Sequence, residues 1–155
     1  MRLILVRHAK SDWGDPSLND HDRPLNKRGR RQAPLLGTMI RDLIGESTRA
    51  IVSTAVRAQQ TWNALGLADL VADVHDEADL YMTLPSTVVE IAHLTRSQGG
   101  VNTLILVGHN PTTELAIRLL TNEKHVMRTS MAAVINLGEE EAELITILDP
   151  RTIEE

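Results

Sequence analysis

Short uninterrupted apolar runs alternate along the chain with longer stretches in which apolar residues recur every three or four positions. Arg2 to Arg7 (RLILVR), Ala50 to Ser53 and Thr103 to Gly108 (TLILVG) have the length of strands and the all-apolar character of strands covered on both faces. Each is followed by a helical pattern. The first helix is predicted from about Asn26 to Ile44, with Asn26 as N-cap, an apolar face of Leu35, Leu36, Met39, Ile40 and Leu43, and a kink at Pro34. A second, capped by Thr54, runs to Leu65 and stops at Gly66. A third opens at Leu84-Pro85-Ser86 and ends near Ser97, before Gly99-Gly100. The fourth has Asn110 as N-cap and Pro111 at its first position, and reaches Leu120. Ala133 to Leu137 and Glu143 to Leu148, on either side of Gly138-Glu139-Glu140-Glu141, are expected to pair as a hairpin. The expected fold is therefore α/β: a three-layer α/β/α sandwich whose mostly parallel sheet carries an antiparallel edge. Sites in such sheets lie beyond the carboxyl ends of the strands.

Composition narrows the choices. At 155 residues the chain is expected to form one domain over 1–155, and with no Phe its core must be built from Leu, Ile, Val, Ala and Met. The lack of Cys rules out a thiolate nucleophile, a disulfide framework and Cys-ligated zinc. A formal charge of −5 with only Trp13, Trp62 and Tyr81 as aromatics speaks against nucleic-acid binding. The polar loop that follows Arg7 leaves no signal-peptide or membrane-length apolar run, so a soluble, cytoplasmic protein without membrane association is expected.

Three polar groups fall where the strands end: Arg7-His8, Ser53-Thr54-Ala55-Val56-Arg57 and Gly108-His109-Asn110. Each has a bland reading. Arg7-His8 could simply end a strand in solvent, Arg57 could be a solvated helix residue, and His109 a cap. Together, two guanidiniums and two imidazoles converging on one edge make an oxyanion site, because arginine offers a planar donor fork matched to phosphate oxygens. A neutral imidazole with one ring nitrogen held as donor is a nucleophile near neutral pH, and His8 is placed for that role. Arg7, Arg57 and His109 would then stabilise the charge on the transferring phosphoryl group, with N–H groups at the Asn110-Pro111 helix start assisting. The scheme calls for no metal and no cofactor, and the acidic loop Asn19-Asp20-His21-Asp22 lacks the spacing of a calcium or zinc site.

Arg7-His8, Ser53-x-x-x-Arg57-Ala58-x-Gln60-Thr61 and Gly108-His109-Asn110-Pro111, in that order, resemble the histidine phosphatase (phosphoglycerate mutase-like) superfamily. Asp22-Arg23-Pro24-Leu25 with Gly29 following, and Thr129-Ser130-Met131-Ala132, resemble its small bacterial phosphohistidine phosphatase branch. The resemblance implies that His8 is the nucleophile and that Arg7, Arg57, His109 and Arg23 meet the phosphate; Asn110, at the start of the fourth helix, is a further phosphate-binding candidate. For Arg23, a salt bridge inside the acidic loop is the rival role. The chain departs from the family in having Ala9 where glycine usually follows the nucleophile, and no carboxylate clearly matches the family's general acid. Asp79 is the first candidate for that acid and Glu77 the second.

The donor follows from leaving-group chemistry. A sugar alkoxide, with a conjugate acid near pKa ~16, needs a strong proton donor, whereas imidazole, at about 6.5, leaves as a neutral ring once protonated. The expected substrate is thus a phosphohistidine-bearing protein such as a phosphotransfer domain. The rivals are a small phosphate ester handled by the same scheme, and a catalytically weak module that binds phosphorylated partners.

Overall fold

A computed structural model describes residues 1–155. Six strands form one sheet: β1 (Arg2–Arg7), β2 (Thr48–Ser53), β3 (Asp73–Glu77), β4 (Thr103–Gly108), β5 (Ala132–Leu137) and β6 (Ala142–Leu148). Four helices connect them: α1 (Lys27–Arg41), α2 (Val56–Leu65), α3 (Pro85–Gln98) and α4 (Thr112–Thr121). The strand order is β3-β2-β4-β1-β5-β6, parallel from β3 to β1 and antiparallel across β5 and β6. This is the three-layer sandwich expected, with its antiparallel edge.

Because side chains alternate along a strand, each central strand feeds two cores. Ile4, Val6, Ala50, Val52, Ile105 and Val107 pack on one face against Leu36 and Ile40 of α1 and Trp62 and Leu65 of α2. Leu3, Leu5, Leu104 and Leu106 face the other way, against Val88 and Ala92 of α3 and Ala116 and Ile117 of α4. The two helical layers are thus set by the parity of the apolar runs.

Helix α1 starts as expected: the Asn26 side chain accepts from the Gly29 N–H at 2.9 Å. It ends at Arg41, short of Ile44, and continues through Pro34, which lies on its exposed face. Its buried stripe is centred on Ala33, Leu36, Gly37 and Ile40, with Leu35 and Met39 half-buried. Two of its glycines are needed for close approach. A Cβ on Gly29 would lie 2.3 Å from the Lys10 carbonyl oxygen, and one on Gly37 1.9 Å from that of Leu65. Gly29 lets α1 press on the segment that follows His8.

Three differences from the sequence reading stand out. Strand β3 (DVHDE) carries no apolar alternation; it is an edge strand held by its backbone pairing to β2, and its charged side chains suit an edge exposed to water. Helix α2 is preceded by Ala55 at the N-cap position, since Thr54 turns its hydroxyl to His21 instead. Helix α4 begins at Thr112 with Pro111 at its N-cap position, so Asn110 does not cap it.

Candidate active site

Arg7, Ser53 and Gly108 end adjacent strands in matching register, with Arg7 opposite Gly108 and Val52 opposite Val107. The three polar groups read from the sequence therefore emerge at one edge. His8 is fixed there by backbone bonds on every side. Its N–H donates to Gly108 O at 3.0 Å, and Ser130 N–H donates to both Arg7 O and His8 O at 3.2 Å. The Ala9 N–H donates to the Thr61 hydroxyl at 2.9 Å, and that hydroxyl donates to Arg57 O at 2.7 Å. Ala9 is fully buried and not among the positive-φ residues, so the segment accommodates a Cβ at this position.

The ring of His8 is oriented for attack. Its Nδ1 lies 2.7 Å from the Ala9 carbonyl oxygen, an acceptor, so Nδ1 carries the proton and Nε2 presents its lone pair. Burial is the largest cause that pushes the His8 pKa down to about 3, with His109, Arg57 and Arg7 adding repulsion, so the imidazole is neutral at pH 7. His109 stands with its ring centroid 5.1 Å away and is pushed down to about 4, chiefly by burial and then by Arg57. Its Nε2 lies 2.8 Å from the Ser53 hydroxyl, which can donate to it; that tautomer leaves the buried Nδ1–H as a donor with no protein partner. His109 is thus suited to act as a neutral N–H donor rather than as an imidazolium.

Arg7 reaches Met127 O at 2.7 Å through one Nη, while its Nε is buried without a partner. Arg57 is anchored by Asp20: Nη1 donates to the Asp20 carbonyl oxygen at 2.7 Å and Nη2 to Oδ2 at 3.0 Å, again leaving Nε unpartnered. Arg23 joins the pocket through the same residue. Its Nε and Nη2 both lie 3.1 Å from Asp20 Oδ1, its Nη1 donates to the Ser11 hydroxyl at 2.6 Å, and its guanidinium stacks 3.5 Å over the Trp13 ring. The salt bridge in the acidic loop is therefore real, and it coexists with a place beside the pocket.

The remaining expected residues fall out differently. The Asn110 amide spends both of its protons on scaffold acceptors, Glu114 Oε1 at 3.0 Å and Met127 O at 2.8 Å, so its side chain has no donor left for phosphate. Glu77 accepts from the Asp79 N–H at 3.2 Å, and Asp79 is exposed; neither carboxylate bonds to His8, His109 or an arginine. The carboxylate that does meet the pocket, Asp20, also accepts from the Tyr81 hydroxyl at 2.7 Å, and Tyr81 sets its ring edge-on to His109 at 5.6 Å. Asp20, Tyr81 and Glu114 were not singled out from the sequence. Asp20 meets Tyr81 across 61 positions and Arg57 across 37, and no local spacing announces such pairs.

Fold and site together define an α/β protein whose central strands deliver a neutral, oriented histidine into a pocket of arginines. A family model for the histidine phosphatase superfamily (branch 1) matches residues 3–81, and the chain belongs to that superfamily. In sequence it is 42% identical over 115 residues to an uncharacterized protein of Mycobacterium tuberculosis, covering 74% of this chain and 69% of the relative. A solved structure of a candidate phosphohistidine phosphatase SixA from Agrobacterium tumefaciens superposes with a TM-score of 0.83 at 30% identity, over 96% of this chain and 97% of that one. The protein histidine phosphatase SixA crystallised with tungstate shares the fold over 99% of this chain and 100% of its own, with a TM-score of 0.86 at 22% identity. The protein is thus a SixA-like member of the superfamily. No helix is long and apolar enough to cross a membrane.

Proposed function

We propose that the protein removes phosphate from phosphohistidine carried on another protein, through a phosphorylated His8. The observation that carries the reading is the Nδ1–H of His8 held on the Ala9 carbonyl, which leaves Nε2 bare in a cleft of guanidiniums. In the first step the Nε2 lone pair forms a bond to phosphorus while the bond from phosphorus to the substrate imidazole breaks. The substrate ring, protonated on its far nitrogen, leaves as neutral imidazole. Because Nδ1 keeps its proton throughout, phospho-His8 is itself a protonated ring and a good leaving group. In the second step water attacks phosphorus, the His8–phosphorus bond breaks, the pair returns to Nε2, and the water proton passes to phosphate or solvent. Arg7, Arg57 and the His109 N–H stabilise the charge spread over the equatorial oxygens in both steps.

The choice of phosphorus on nitrogen rests on the pocket carboxylate. Hydrogen bonds from Tyr81 first, then from Arg23 and Arg57, hold Asp20 at about 2, so it is ionised and has no proton to give an alkoxide. Imidazole departure needs none there. The 30% identity to the Agrobacterium tumefaciens protein, described as a candidate phosphohistidine phosphatase, agrees with this choice. The test is a comparison of kcat/KM for a histidine-phosphorylated phosphotransfer domain with that for sugar and nucleotide monophosphates. A preference of at least roughly 100-fold for the phosphohistidine protein is expected, about 3 kcal/mol of transition-state discrimination. A preference for the monoesters contradicts the reading, and absence of turnover on both leaves only phosphate binding.

A further inference from the structure

Two buried guanidiniums in this pocket depend on one half-exposed carboxylate. The side chains of Arg23 and Arg57 are 8% and 7% exposed, against 46% for Asp20. Asp20 divides its oxygens between them: Oδ1 takes both Nε and Nη2 of Arg23, Oδ2 takes Nη2 of Arg57, and the Asp20 carbonyl takes Nη1 of Arg57. A buried charge that loses its only counter-ion becomes strongly attractive to any anion that can reach it. An ordinary loop ion pair would engage one arginine of the same loop; this carboxylate also reaches α2, the helix that bears Arg57.

The charge balance gives the arrangement a purpose. His8 and His109 are neutral at pH 7, and Arg7 lies in the field of the Glu114 carboxylate. Around Asp20 itself, two guanidiniums and one carboxylate leave one positive charge. Without Asp20 the excess there would be two, and inorganic phosphate, the product, would be held more tightly than turnover needs. We propose that Asp20 sets the anion affinity of the pocket: its carboxylate positions Arg23 and Arg57 and removes one positive charge, so that phosphate binds and also leaves. The proposal rests on the pocket being the phosphate site, and it holds whether the substrate is a phosphoprotein or a small ester.

The experiment is calorimetric titration of the purified protein with inorganic phosphate at pH 7.5, for wild type, Asp20→Asn, Asp20→Glu and Arg57→Ala. Asp20→Asn is expected to bind phosphate about tenfold more tightly, the size expected of one unit charge at a half-exposed position after solvent screening. Asp20→Glu keeps the charge and is expected to stay within about twofold of wild type on the same ground. Thermal unfolding checks that each variant is folded. If Asp20→Asn binds phosphate equally or more weakly, Asp20 is only a brace for the arginines, and the proposal fails. Tightening by Asp20→Glu as large as that by Asp20→Asn also overturns it, since charge would not be the cause. Retention of full phosphate affinity by Arg57→Ala would place the anion elsewhere and remove the premise as well as the proposal.

Discussion

The segment that carries His8 and the loop that carries Arg23 face the same pocket but are held by different means. Residues 7–9 are clamped by backbone bonds from Gly108, Met131 and Ser130 and by the Thr61 hydroxyl, and His8 and Ala9 are buried. The loop at Asp20–Arg23 is mostly exposed and engages the pocket through the contacts of Asp20 and of the Arg23 guanidinium. The first arrangement fixes a lone pair in direction, which nucleophilic attack requires. The second holds two guanidiniums through one half-exposed carboxylate, which suits binding and release of an anion. Substitutions in the first region should therefore remove chemistry, and those in the second should tune affinity.

The largest separation is expected from His8→Ala, which should lower turnover by at least about 10³-fold while phosphate affinity, measured by calorimetry, stays within several-fold of wild type. Comparable losses in both quantities would mean that His8 serves binding instead. Next, Arg57→Ala should cost about 10²- to 10³-fold in kcat/KM, as expected for loss of a donor to transition-state charge. Arg23→Ala, in the second region, should cost about tenfold and appear mainly in KM. Equal effects would erase the distinction between the regions.

Stability should separate them as well. His8 and His109 titrate at about 3 and about 4 in the folded protein, below the ordinary 6.5, so between those values the unfolded chain binds protons that the folded chain refuses. Stability is then complete well above pH 6.5 and falls as the pH drops toward 4.5, by on the order of 5 kcal/mol for the buried pair. Asp20, held at about 2 against 3.8, contributes stability that is full above 3.8 and is lost only below that window. Urea unfolding at pH 7.5 and 4.5 checks this, and a flat profile would refute the burial argument. The smallest effect is expected from Thr61→Val, which leaves the buried Ala9 N–H without its acceptor; a loss of about 1–2 kcal/mol should be seen in the same unfolding experiment.

The same contrast explains what the sequence disclosed. Arg7-His8, Arg57 and His109 were legible because each follows an apolar run of strand length, and parallel strands must bring such ends to one edge. The layers were legible from the all-apolar character of those runs, which marks strands covered on both faces, and Asn26 and Gly66 from capping chemistry. Strand β3 was hidden because an edge strand needs only backbone pairing, which leaves no mark on its side chains. Asn110 looked like a cap, but Glu114 and Met127 O compete for its amide and win it for the scaffold. Asp79 looked like an acid by position along the chain, whereas the carboxylate that reaches the pocket, Asp20, arrives from a loop whose charges resembled a solvated turn. Gln60, part of the motif around Arg57, proved to accept from the Leu25 N–H at 2.8 Å, tying α2 to the segment that follows Arg23.

The central claim is that His8 becomes phosphorylated. The direct measurement is rapid quenching, into alkali, of the enzyme mixed with a substrate labelled on phosphorus, followed by mapping of the labelled peptide. Alkali preserves phosphate on histidine nitrogen and acid releases it. The account requires alkali-stable, acid-labile label on His8 that forms within the first turnover and is absent from His8→Ala. Turnover with no label on His8, or label on another residue, would contradict it.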